Sequence, residues 1–271
     1  MTSRSFTVSG PLNLNCKFGA GSVSINAVPD LGEATVELVA RDPGSTVLNR
    51  TTVELHGRTL SIQGPKTRGG VFDLPVFGRG KDADALDITV SIPAGSTIKV
   101  ATMTGDVSTV GRIGDADIGC GASAVCLDEI QGNLRLRFGS GAIRVGTVSG
   151  SATVRGGSSE VQIGDGGSVD VAFGTGRLEL GRAHGPVRMR TGAGSAQIGS
   201  AEADVDLTSG SGELAIGIPS GLRARLDIMT GSGQLRTEMP VEPKPDEPGL
   251  KRHSTIRART GSGDVTIRRA S

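Results

Sequence analysis

The chain has 271 residues, with 29 Lys and Arg against 28 Asp and Glu and a net charge of +1, so no basic surplus exists to draw nucleic acid or an anionic membrane surface. Glycine numbers 43, while there are six Phe and no Trp or Tyr; any core must consist of small and branched aliphatic side chains. These aliphatics alternate with the glycines at short intervals, which points to ordered turns rather than to a disordered or collagen-like chain.

The opening residues, MTSRSFTVSG, hold no apolar core of a secretory leader, and no stretch approaches the roughly 18 apolar residues that cross a bilayer. Cys16, Cys120 and Cys126 are an odd number of cysteines. Together these features lead to the expectation of a cytoplasmic protein with free thiols and no membrane partner. Residues 1–101 are expected to form an irregular N-terminal β segment that caps the repeat, with strands at 22–25, 34–39, 51–55, 59–62, 86–92 and 97–101. A long loop at about 64–85 carries VFDLPVFG between GPKTRGG and GRGKDAD. Its apolar residues Phe72, Leu74, Val76 and Phe77 are the candidate partner-docking loop. Folding back to cover a flank is the other reading of the same residues.

From 102 to 217 the chain repeats itself. Apolar pairs at i and i+2 run Ala116/Ile118, Val125/Leu127, Leu134/Leu136, Ile143/Val145, Ala152/Val154 and Val161/Ile163. They continue as Val169/Val171, Leu178/Leu180, Val187/Met189, Ala196/Ile198, Val205/Leu207 and Leu214/Ile216, every step being nine residues except an eight-residue step from Val161 to Val169. This is strand periodicity, with both members of a pair on one face. Turns such as FGSG at Phe138, FGTG at Phe173, TGAG at Thr191 and SGSG at Ser209 open alternate units. The intervening units instead carry Ile113, Val148, Ala183 or Ala201 two residues after a glycine. Two strand types therefore alternate. The predicted fold is an all-β, parallel β-solenoid with about 18 residues per two-strand coil and irregular β segments at both ends. An antiparallel meander of the same spacing would leave half the apolar pairs unburied. In the solenoid, outward-facing Asp117, Arg135, Thr153, Asp170, Arg188 and Asp206 stack about 4.8 Å apart as a charge ladder.

Residues 218–271 form a C-terminal β segment, with strands near 224–229, 233–237, 254–260 and 263–268. It is interrupted by a Pro-rich loop at 240–252.

The candidate chemistries are weighed against this architecture. Each G-x-G precedes a strand pair and not a helix N-terminus, so the glycines do not cradle phosphate. The nearest approach to a calcium-binding nonapeptide is GDGGSVDV at Gly164, and no continuous ladder of Asp ligands accompanies it. His56, His184 and His253 are scattered, and Cys120 and Cys126 lack metal-ligand spacing. Cys120 falls at the turn position of Phe138 and Phe173, where corner packing is expected. The expectation is no enzyme: no catalytic, cofactor-binding or metal-binding residues, no cofactor and no small-molecule ligand.

The serial units from FGAGSVSI at Phe18 to TGSGDVTI at Thr260, the segment SIPAGSTIKV at Ser91, and IPSGLRARLDIMTGSG followed by a Pro-rich loop and IRARTGSGDVTIRRA carry a resemblance. By them the chain resembles a widespread bacterial β-strand-repeat family, catalogued as adhesin-like and as a domain of unknown function. The resemblance implies a β-repeat architecture and brings no catalytic residues. Its adhesin label implies a cell surface, whereas the sequence shows no leader, anchor or sorting tail. The leading expectation is a non-enzymatic β-repeat scaffold or protein-interaction module, with a protein partner in hetero- or self-association. An adhesin-like surface-binding protein is the alternative, and a carbohydrate-active β-helix enzyme the third reading.

Overall fold

The computed structural model describes residues 1–65, 84–238 and 253–270. The described residues are β-strand and turn, apart from one helical turn at Val47–Arg50. They divide into two compact units, Met1–Val145 and Gly146–Ser271. In both, buried and outward residues alternate along the inner strands, as the apolar pairs require.

In the first unit the strands are β1 (Thr2–Thr7), β2 (Asn13–Val28), β3 (Glu33–Ala40), β4 (Thr52–His56), β5 (Thr59–Gln63), β6 (Leu86–Pro93), β7 (Thr97–Val110), β8 (Arg112–Ile113), β9 (Ala116–Ala122), β10 (Val125–Ile130) and the start of β11 (Leu134–Ala183). β2 and β7 each turn a corner and so belong to two sheets. In one sheet β5, the first half of β2, the first half of β7, β9 and β11 follow one another in parallel. Leu60 pairs with Leu14, Leu14 with Ile98, Ile98 with Ala116, and Ala116 with Leu134. In the other, Ile88 pairs with Val23, Val23 with Val107, and Val107 with Val125, again in parallel. Antiparallel strands finish both sheets: β4 lies along β5, β3 along β6, and β1 along β3. The coil made by β2 is thus not at the end of the stack. It sits between β5 and β6 on one side and β7 on the other.

The second unit contains the rest of β11, β12 (Val187–Ala201), β13 (Val205–Ser211), β14 (Leu214–Ile218), β15 (Arg223–Ser232), β16 (Leu235–Thr237), β17 (His253–Ser262) and β18 (Val265–Arg269). The pairings among its described strands are parallel. One sheet aligns Val169, Val187, Val205, Ile256 and Leu226. The other aligns Leu178, Ala196, Leu214, Val265 and Leu235. Here too the order in space departs from the order in sequence. β17 and β18 slot between β13–β14 and β15–β16, so the last strands of the chain are internal and residues 223–237 form the outer coil.

The inward residues form continuous aliphatic columns. Leu180, Ile198, Ile216 and Ile267 are in register and all buried, and burying each such side chain contributes roughly 1.5–3 kcal/mol. A further inward position, beyond the pair expected in each strand, lies at one corner of each coil. Ile113 pairs with Ile130 and Ala183 with Ala201, all fully buried. In the eight-residue step Gly166 takes this corner place, and two residues rather than three separate it from the next pair. Just before this same corner the backbones themselves touch. A Cβ on Gly199 would lie 2.5 Å from the Gly181 carbonyl oxygen, which explains why a glycine recurs there in coil after coil.

All three cysteines are free; Cys16 and Cys120 are buried and Cys126 is exposed. Complete burial pushes the Cys16 thiol up to about 12, and burial raises Cys120 as well. A chromogenic disulfide reagent at neutral pH is therefore expected to modify Cys126 alone in the folded protein, and all three after denaturation. A second fast-reacting thiol in the native state would contradict this packing.

Candidate functional site

Each inward residue in a strand is flanked by residues that must point out, and in parallel coils those outward residues fall into rows. The row beside Val169, Val187, Val205 and Ile256 runs Asp170, Arg188, Asp206 and Arg257, and continues to Asp227 on β15. The expected ladder of Asp170, Arg188 and Asp206 is therefore present and extends two coils further. Together with Thr153 its first four members line an open groove of about 470 Å³ in the second unit. Asp204, at the groove margin, accepts a hydrogen bond from the Thr255 amide at 2.7 Å and so ties β17 to the turn before β13.

The ladder residues alternate in sign along the row, yet their tightest ion pairs also run diagonally. Arg155 Nη2 lies 2.5 Å from Asp170 Oδ2, and its Nη1 donates to the Asp170 carbonyl at 3.0 Å. Arg188 Nε stands 3.9 Å from Asp206 Oδ2. Arg257 Nε donates to Asp227 Oδ2 at 3.1 Å, and Arg259 Nη2 reaches the same oxygen at 3.5 Å. The hydrogen bond from Arg257, with the positive charge of Arg259 behind it, holds the Asp227 carboxyl below the usual carboxylate range. In the first unit Asp117 is in register with Arg135 but pairs with Arg137 at 2.7 Å, two residues along the strand. These pairs are solvent-exposed and contribute little to folding. Their regular alternation is a property of the surface.

A second cluster collects at the corner of the coils. His184 Nδ1 lies 3.1 Å from Glu202 Oε2, and its Nε2 lies 3.8 Å from Asp165 Oδ1, which is also 3.8 Å from Arg182. Asp165 belongs to the segment that most resembles a calcium nonapeptide, and here it faces a histidine and an arginine rather than other carboxylates. Among the described residues no group of three or more His, Cys, Asp or Glu could hold a metal ion. His56, in the first unit, stands 3.9 Å from Glu54. The spacing of 165, 184 and 202 could have signalled the cluster, because residues about one coil apart become neighbours.

The candidate docking residues Phe72, Leu74, Val76 and Phe77 lie outside the described residues, as does the Pro-rich segment 240–252. Cys120 sits where expected, in register with Phe138 at a corner and almost fully buried. Among the described residues no helix is long and apolar enough to cross a membrane.

A comparison with curated proteins finds no match. Among solved structures the chain is similar to a candidate cell adhesion protein from Clostridium sporogenes, at 12% identity and a TM-score of 0.26, covering 99% of each chain. It is similar to a candidate adhesin from Bacteroides fragilis, at 13% identity and a TM-score of 0.43, covering 99% of this chain and 96% of that one. A candidate lipid-binding protein from Parabacteroides distasonis is similar at 13% identity and a TM-score of 0.38, over 97% of this chain and 96% of that one. The family model described as Toastrack DUF4097 matches residues 32–270. That span takes in most of the chain and nearly every strand described above, so the protein belongs to the Toastrack DUF4097 family.

Proposed function

We propose that this protein is a non-enzymatic scaffold or protein-interaction module, built on an 18-residue coil of two strands, which offers the ladder of its second unit to a protein partner. The observation that carries this reading is the row Asp170, Arg188, Asp206 and Arg257, with alternating charge at single-coil intervals along an open groove. Charges of both signs at fixed spacing are suited to setting the register and specificity of a partner with a complementary row, and to steering its approach. Catalysis by paired carboxylates calls for a different setting, in which one group is kept protonated. Here Asp170, Asp206 and Asp227 each face an arginine instead. Three unbridged thiols suit a reducing compartment, which supports a cytoplasmic location.

The double substitution Arg188→Asp with Asp206→Arg tests the reading, because it breaks the alternation of the ladder and keeps an ion pair between the two positions. Arg188 is exposed and Asp206 half-buried at the surface, so the melting temperature is expected to change little. Proximity cross-linking in native cells is expected to capture a partner with the wild-type protein and to lose it with the two central charges swapped. Equal capture by both, or no captured protein with either, would reject the ladder as the contact surface.

A further inference from the structure

The outer coil of the second unit differs from every coil beneath it. β15 and β16 are paired along one edge only, to β17 and β18, and no other described strand pairs with them. Their inward positions match fully buried residues one coil below: Leu226 lies beside Ile256, Ile228 beside Ala258, and Leu235 beside Val265. In this coil those positions are open. Leu226 and Ile228 are half-buried, while Leu235 is 51% exposed. The sequence of β15, RARLDIMTGS, carries no proline and no inward-pointing charge, two of the devices that normally blunt such an edge. A long unpaired edge beside exposed aliphatic positions is a template for another strand.

The charges on β15 select the partner. In an antiparallel pairing of β15 with a second β15, residue i faces residue j at a constant sum, and inward residues stay inward only if the two-fold axis falls on a residue. An axis at Arg225 sets arginine against arginine, and one at Asp227 sets aspartate against aspartate. An axis at Ala224 opposes Arg223 and Arg225. An axis at Leu226 instead places Arg225 opposite the other copy's Asp227 on both sides of the axis, with Ala224 facing Ile228 and Leu226 facing itself. This register forms two opposite-charge pairs and no like-charge pair, and it lays a second strand beside the half-buried Leu226 and Ile228.

We propose that two copies of this chain associate through the exposed edge of β15, antiparallel about a two-fold axis at Leu226, with Arg225 of each copy paired to Asp227 of the other. The contact is isologous and therefore closes as a dimer instead of growing into a filament. It uses the end of the coil stack and leaves the ladder groove on the flank accessible, so it does not depend on the partner reading given above.

Light scattering coupled to size exclusion over a concentration series tests the association, with the chain mass of 27.5 kDa as reference. The expected result is a species of twice that mass. Arg225→Asp, at an exposed position, is expected to leave the fold intact and to weaken the dimer about tenfold or more by setting two pairs of like charges opposite each other. The register is tested in a Cys126→Ser background with mild copper-phenanthroline oxidation, which removes two electrons and two protons from a pair of thiols. Leu226→Cys is expected to cross-link with itself, since directly opposed residues have Cα atoms about 4.5–5.5 Å apart. Ala224→Cys and Ile228→Cys are expected to cross-link when mixed, and not separately. A monomer at all concentrations, growth beyond a dimer, or cross-linking by Ala224→Cys alone would overturn the proposal.

Discussion

Gly176→Ala is expected to cost about 3–5 kcal/mol of unfolding free energy, read as a fall in the denaturant midpoint with little change in slope. Two effects act at this one position. The backbone has φ of +142°, a region that L side chains rarely adopt, and a Cβ placed there would lie 1.9 Å from the Ser159 carbonyl oxygen and 2.9 Å from its carbon. The obstacle is backbone of the neighbouring coil, so a rotamer change cannot relieve it; the two coils must separate, and the hydrogen bonds between them separate too. Gly119→Ala provides the control. A Cβ at Gly119 meets nothing within 4 Å, and this substitution is expected to stay within about 1 kcal/mol of the parent. Equal costs at the two positions would show that glycine content, and not the close approach of stacked coils, explains the composition.

This difference between glycines marks where the sequence is informative. The apolar pairs at i and i+2 identify strands because inward positions must be aliphatic in every coil, and their constancy gives the alignments of Ala116 with Leu134 and Val187 with Val205. The ladder is readable for the same reason: once the coil repeat is known, Asp170, Arg188 and Asp206 must be neighbours. What the sequence conceals is the order of the coils in space. Leu14 pairs with Ile98 across a long insertion, and Leu207 pairs with Ala258 while Ile228 lies beyond it. A period reports only neighbours separated by one repeat, so a coil inserted between two others leaves no trace in it. For that reason Arg257 and Asp227 are absent from the ladder as read from the sequence. β1 is hidden for a different reason: its residues are nearly all exposed, and an edge strand paired on one side needs no alternation. The diagonal partners Arg137 and Arg155 depend on side-chain reach, which spacing alone does not determine.

Ile198→Ala is expected to destabilise the protein by about 2–5 kcal/mol, the range for removing a large aliphatic side chain from a packed interior. Ile198 is fully buried between Leu180 on one coil and Ile216 on the next, in register with both. A stacked array has no third direction from which to fill the vacancy, and the coil backbones are already held at contact by Gly181 and Gly199. The cavity therefore weakens two interfaces at once, and in a nearest-neighbour array each interface is a large share of local stability. Leu235→Ala removes a comparable side chain from the same sheet in the outer coil, at the position in register with Val265 and Leu214, where the leucine is 51% exposed. Its expected cost, measured on dilute protein, is under about 1 kcal/mol. If the two substitutions cost the same, then the outer coil is as well packed as the inner ones in solution and something covers it even in the dilute monomer. If Leu235→Ala becomes costly only as the protein concentration is raised, the missing packing comes from a second copy, because only an association linked to folding makes the cost of one side chain depend on concentration.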